Sequence, residues 1–155
     1  MNEEIQKKIK IFVVILRTEP DAVYNGKTFT QFAYIQFIDG KQVGIFDHKN
    51  LCTPEIVGKN KTITLSMPIP SLEKIDINQT SVKVVSTPIL DICGCIKEII
   101  QPDNKQSDKK WRKFIIDFGL GKIVLDVDIE KYAALNLKNG DYIHAIGRVD
   151  LESIE

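Results

Sequence analysis

The chain has 155 residues, with 21 basic and 21 acidic side chains and a formal net charge of zero. That length holds one ordinary domain or two very small ones. A neutral balance argues against a strong non-specific nucleic-acid binder, which needs a basic excess to displace counterions, so any such activity must come from a local patch.

Lys7-Lys8-Ile9-Lys10 ahead of a six-residue apolar run, Ile11 to Leu16, has the outline of a leader segment. But the run is short, Arg17-Thr-Glu-Pro20 follows, and no small-x-small cleavage site appears. A core strand over 9–16 explains it better, and an intracellular location, cytoplasmic or nuclear, is expected. Residues 29–38 alternate, with Ala33, Ile35 and Phe37 on one face and Phe32, Tyr34 and Gln36 on the other. Asp39-Gly40 reads as a tight hairpin turn, and 42–47 as its return strand. Residues 50–58, containing Pro54, read as a loop or one helical turn. A strand over 62–69 meets Pro68 and Pro70, which suit a strand end or sheet edge. Polar 76–80 is the candidate boundary, dividing the chain into units 1–78 and 79–155.

The second unit opens with 81–85, bends at Pro88 and continues as a strand over 89–100. Gly94 in its middle suggests a bulge, as where one strand serves both sides of a small barrel. After a polar loop, 101–110, comes a strand over 111–118. It places Phe114, Ile116 and Phe118 on one face and Trp111, Lys113, Ile115 and Asp117 on the other. Gly119-Leu-Gly121 is a turn and 122–127 a strand. Residues 128–135 read as a short helix, capped by Asp128 with Glu130 in its first turn. Asn139-Gly140-Asp141 ends the connection, and 142–154 is a last strand or pair of strands.

The two units echo one another. Ile35-x-Phe37-x-x-Gly40-Lys41-x-Val43-x-x-x-Asp47 recurs as Ile116-x-Phe118-x-x-Gly121-Lys122-x-Val124-x-x-x-Asp128, 81 positions on. Lys59-Asn60 and Leu72-Glu73-x-Ile75 recur as Lys138-Asn139 and Leu151-Glu152-x-Ile154, 79 positions on. A period this long means a duplicated small domain rather than a solenoid. A chain rich in Ile, Lys and Asp also produces such matches by chance, and that alternative stays open.

The order strand, long loop, strand, hairpin, strand, short helix, strand fits the OB-fold, a five-stranded Greek-key barrel. The expected fold is all-β, with two such barrels in tandem and one short helix in the second. Leu137-Lys-Asn-Gly140-Asp141-Tyr142-Ile143-His-Ala-Ile146-Gly147-Arg148-Val149 resembles the closing segment of OB domains in the replication protein A and single-strand-binding superfamily. Ile92-Cys-Gly94-Cys-Ile96 is similar to their opening strand. The resemblance covers 81–155 and reaches 8–75 only through the duplication. In the first half Asn60-Lys-Thr62 stands where Gly140-Asp141 stands, and no Gly-Arg-Val follows.

The resemblance implies a ligand crossing the second and third strands, flanked by the one–two loop. There Lys105, Lys109, Lys110, Arg112 and Lys113 surround Trp111, the one tryptophan. An indole that stacks on a base, worth roughly 1–3 kcal/mol, beside cations that track phosphates is what single-stranded nucleic acid requires. The plainer reading has Trp111 covering the barrel end while the lysines keep a loop solvated. Phe32 and Tyr34 are the corresponding aromatics of the first unit, with core filling as their other reading. Tyr24, Lys97 and Arg148 are weaker candidates. The expected function is binding of single-stranded DNA, or RNA, within a replication, telomere or repair complex. The alternative is a protein–protein adaptor that contacts partner subunits.

An enzyme is not expected. No glycine-rich phosphate loop, nucleophile elbow or histidine-centred triad is present, and nothing near Asp126-Val-Asp128 completes a metal site. Cys52, Cys93 and Cys95 form no disulfide framework, Cys93-Gly94-Cys95 is no zinc knuckle, and His48 and His144 are remote in sequence. Neither metal nor cofactor is expected, and His144 reads as structural.

Overall fold

The computed structural model describes residues 2–101 and 110–155. A short helix α1 (Glu3–Lys8) precedes eleven strands: β1 (Ile11–Tyr24), β2 (Lys27–Phe37), β3 (Gln42–Asp47), β4 (Asn60–Pro68), β5 (Ser71–Ile75), β6 (Ser81–Ser86), β7 (Ile89–Ile100), β8 (Trp111–Asp117), β9 (Lys122–Asp128), β10 (Tyr142–Arg148) and β11 (Asp150–Ile154). Single 3₁₀ turns sit at Pro54–Ile56 and Ala133–Leu135.

The same order runs through both halves. β1, β2, β3, a 3₁₀ turn, β4 and β5 are matched by β7, β8, β9, a 3₁₀ turn, β10 and β11, and β6 has no counterpart. Ladder details repeat as well. Ile15 lies opposite Ile35, and Ile96 opposite Ile116; each ladder then skips one residue, at Leu16 and at Lys97. Ile15 exchanges backbone hydrogen bonds with Gly58 and Lys59, while Ile96 does so with Gly140 and Asp141. Both glycines lie in the left-handed region, at φ 84° and 93°, where a Cβ would crowd the backbone.

These pairings revise the sequence register. β1 and β2 match β7 and β8 at an offset of 81, so Ile35 and Phe37 do occupy the places of Ile116 and Phe118. The second hairpin is one residue shorter. Gln36 faces Gln42 and Asp117 faces Lys122, so Gln42 rather than Lys41 holds the place of Lys122, and Asp47 that of Val127. In the closing strands Ile63 faces Ile11 and Ala145 faces Ile92, an offset of 82. Leu72 therefore corresponds to Ile154, and its match to Leu151 is coincidental.

The last strand of each half pairs with the other half. β5 joins β10, and β11 joins β4. With β11 inserted, β1-β2-β3-β11-β4 closes through a β1–β4 ladder into a five-stranded, OB-like barrel. The remaining strands run β9-β8-β7-β10-β5, and Ser66–Pro68 of β4 pairs in parallel with β9 to tie the two sheets together. β7 divides its pairing as its central glycine suggested, with β6 and β10 along its first half and β8 along its second.

Period-two patterning explains the interior. Ala33, Ile35 and Phe37, and Phe114, Ile116 and Phe118, are all buried in one continuous core. Phe37 meets Phe118 edge-on at 5.9 Å, a favoured aromatic geometry.

α1 was read in the sequence only as a charged lead-in. Asn2 Oδ1 accepts the Ile5 N–H at 2.9 Å, Glu3 and Glu4 fill the first turn and Lys7 and Lys8 the last, as capping and the helix dipole favour. Six residues are too few for an isolated helix. Packing of Ile5 and Ile9 on Ile115 and Val124 supplies the rest, about 1.5–3 kcal/mol for each buried side chain. The short helix expected over 128–135 does not form; a single 3₁₀ turn at Ala133–Leu135 stands in its place. Asp128 Oδ1 accepts from Glu130 and Lys131 N–H, and Asn136 adopts a φ of 48° that ends the turn. No helix of the described residues is long and apolar enough to cross a membrane.

Candidate functional site

Lys105 and Lys109 lie outside the described residues. The others of that segment are committed within the fold. Trp111 is half-buried at the first position of β8, opposite Asp128, with the Lys110 ammonium 5.4 Å from its ring. Lys113 pairs with Asp126 at 2.6 Å. Arg112 donates to Gln101 Oε1 at 3.2 Å and to the Trp111 carbonyl at 3.0 Å. Ile115, on the same outer face as Trp111 and Lys113, is covered by α1. In the first half the Arg17 guanidinium lies 3.7 Å over the Tyr34 ring, whose hydroxyl donates to Glu19. Phe32 packs at 6.4 Å against Phe46. A base-stacking platform needs open ring faces beside uncommitted cations, and these described aromatics and cations each already have a partner within the fold.

A buried polar knot closes the first half. Asp47, 0 % exposed, accepts from Gln31 Nε2 at 2.8 Å, Leu51 N at 2.9 Å and Cys52 N at 2.8 Å. Three donors satisfy the carboxylate, the condition under which such a group is retained in an interior. Burial, with the Asp47 charge adding to it, pushes the Cys52 thiol up from the ordinary 9.0 to about 12. Cys52 is therefore a neutral packing group, and the knot is structural.

Two of the concave sites among the described residues join a cation to polar side chains. One, of about 300 Å³, is the mouth of the second sheet, lined by Gln101, Arg112, Tyr132 and Asn136 over an apolar floor. Its tyrosine is occupied: the hydroxyl donates to the Pro70 carbonyl and accepts the Leu72 N–H. The other, of about 200 Å³, lies where the two hairpins meet. Asp39 and Lys41 come from the β2–β3 turn, Phe118, Gly119 and Leu120 from the β8–β9 turn, and Thr80, Ser81 and Val82 from the start of β6. Lys41 Nζ donates to the Val82 carbonyl at 3.3 Å, and Asp39 accepts the Lys41 N–H at 2.9 Å. Gly119 is required here, because a Cβ would stand 2.8 Å from Thr80 Oγ1 and the φ is 97°. The cleft is thus lined by one ammonium, one carboxylate, two hydroxyls, a glycine backbone and one aromatic side chain. Sequence reasoning placed Lys41 in a turn and Thr80 in a linker. Only the meeting of hairpins from both halves makes them neighbours.

No protein-family model matches the chain, and no curated protein matches it. Among solved structures, the chain is similar to a crystal form of the cytoplasmic molybdate-binding protein ModG with molybdate bound. The likeness covers 90% of this chain and 89% of that one, with 16% identity and a TM-score of 0.53. It is a likeness of fold, and it supports an OB-like barrel without the replication protein A or single-strand-binding family. The expected binding of single-stranded DNA or RNA, its adaptor alternative and the partner subunits are corrected accordingly. This architecture is carried by a protein that binds a small inorganic anion. Among the described residues, Lys113 is engaged with Asp126, Arg112 with Gln101, Tyr34 with Arg17 and Phe32 with Phe46.

Proposed function

We propose that the chain is a small-anion-binding domain that takes a tetrahedral oxyanion, of the chemical class of molybdate, in the cleft between its two hairpins. The observation that carries this reading is the convergence of Lys41, Thr80 and Ser81 beside the Gly119 backbone in one small cavity. A tetrahedral dianion needs several donors at short range and a compensating cation, and hydroxyls, an ammonium and backbone N–H groups supply that set. The Asp39 carboxylate opposes an anion; its hydrogen bond to the Lys41 N–H tempers its charge. The fold likeness to a molybdate-binding protein is consistent with this ligand class. The mouth of the second sheet is the weaker site, because Arg112 is held by both Gln101 and a backbone carbonyl, whereas the bond of Lys41 Nζ to the Val82 carbonyl is a long one, at 3.3 Å.

Calorimetric titration with molybdate, tungstate, sulfate and phosphate tests the reading. At least one oxyanion is expected to bind. Lys41→Ala should weaken it by about tenfold or more, the loss of one charge-assisted contact worth ~1.5–3 kcal/mol, and Arg112→Gln should leave it unchanged. No binding at millimolar anion, or equal binding by Lys41→Ala, would overturn it.

A further inference from the structure

A row of polar side chains crosses the outer face of the second sheet. Glu73 on β5 lies opposite His144 on β10, His144 opposite Cys93 on β7, and Asp91 precedes Cys93 by two on the same face. His144 and Cys93 are 51 positions apart in sequence, and the antiparallel β7–β10 ladder sets them side by side. The ligating atoms of Asp91, Cys93 and His144 lie within 4.8 Å of one another. His144 Nε2 contacts Asp91 Oδ1 at 2.5 Å, and Glu73 Oε2 stands 3.6 Å from Nδ1 on the other side of the ring.

We propose that Asp91, Cys93 and His144 bind a divalent transition-metal ion of the zinc type through Oδ1, Sγ and Nε2. The donor set is one thiolate, one imidazole and one carboxylate, which suits a borderline-soft ion and neither calcium nor magnesium. Tetrahedral zinc at ordinary bond lengths separates its ligand atoms by about 3.3–3.8 Å. Small side-chain rotations therefore convert the row: Cys93 closes in, and His144 and Asp91 part by about 1 Å to admit the ion. Metal binding releases the thiol proton to solvent, and the neutral imidazole takes the tautomer with its single proton on Nδ1, which frees Nε2 for the ion. Glu73 is placed to accept the Nδ1 proton, which holds the ring with Nε2 facing the ion, the carboxylate–histidine–metal arrangement of metal sites. The fourth position is left to water. Asp91 and His144 are each about a quarter exposed, so an ion reaches them without unfolding.

A second group, His48, Asp150 and Glu152, shows by contrast what a closed cluster looks like. There Arg148 grips both oxygens of Asp150, and Lys49 and Ser66 hold Glu152. Asp91 has no lysine or arginine ion pair among the described residues.

Cobalt(II) titration of the untagged full chain tests the proposal, with cobalt standing in for zinc. The expected result is a near-ultraviolet thiolate-to-cobalt band that saturates at one equivalent and disappears on adding zinc. Cys93→Ser and His144→Ala should abolish it, Cys52→Ser and Cys95→Ser should retain it, and Glu73→Gln should weaken affinity about 10–100-fold. A band that is absent, persists in Cys93→Ser or vanishes in Cys95→Ser would overturn the site. Should Cys93→Ser unfold, alkylation of the unaltered chain decides: zinc must slow modification of Cys93, identified by peptide mass, and equal rates would overturn it.

Discussion

On the outer face of β2–β3, Tyr34 stands opposite Gly44; on β8–β9 the matching pair is Ile115 and Val124. Thr87 lies against Gly44, where an added Cβ would come within 2.4 Å of it, and Arg17 covers Tyr34. Ile115 and Val124 are instead roofed by Ile5 and Ile9 of α1. Two hairpins with one backbone plan thus present a polar-edged surface in one half and an apolar surface under a helix in the other. The inward faces are apolar in both halves, since both feed one core. The outer faces differ where the covering segment differs.

The knot at the end of β3 is the sharpest contrast, and the largest effect is expected there. Asp47→Ala removes a buried acceptor of three hydrogen bonds and should cost about 3–5 kcal/mol. Asp128→Ala, a half-buried turn cap, should cost about 1 kcal/mol. Urea unfolding of both variants measures the difference, and equal losses would break the contrast. Next in size is the roof. Ile9, 0 % exposed, should cost about 2–4 kcal/mol as Ile9→Ala, with faster hydrogen exchange in β8 and β9 than in β2 and β3.

A third expectation concerns pH. The folded state holds the Cys52 thiol proton up to about 12, above its ordinary 9.0. Its contribution is therefore complete below pH 9 and declines as the unfolded thiol ionises above it. The slope should be on the order of 1 kcal/mol per pH unit. Thermal melts between pH 8 and 11 should show the decline, and Cys52→Ala should flatten it. The smallest effects probe the likeness rather than the contrast. Gly58→Ala and Gly140→Ala meet no neighbouring atom and suffer only from a positive φ. Each should lose about 1–2 kcal/mol, and a clear inequality would argue against their equivalence.

Much of the barrel was legible because strands announce themselves locally. The alternation at Ala33, Ile35 and Phe37 and at Phe114, Ile116 and Phe118 needs only a period of two. The Gly40 and Gly119 turns need only the conformational freedom of glycine. The exchange of β5 and β11 was not legible, because register across a ladder depends on partners far away in sequence. A one-residue difference in turn length moved Asp47 from the place of Asp128 to that of Val127. α1 carried a readable signal, Asn2 before Glu3 and Glu4 with Lys7 and Lys8 behind, obscured by the apolar run after it. The cleft of Lys41, Thr80 and Ser81 and the pairing of His144 with Cys93 are products of tertiary folding, and no local spacing announces them.

The central claim is that the place where the two hairpins meet is the binding site. Two-dimensional NMR of the labelled chain during oxyanion titration addresses it directly. Shifts should concentrate at Asp39, Lys41, Thr80, Ser81 and Gly119. No shifts, or shifts centred on Arg112 and Asn136, would contradict it.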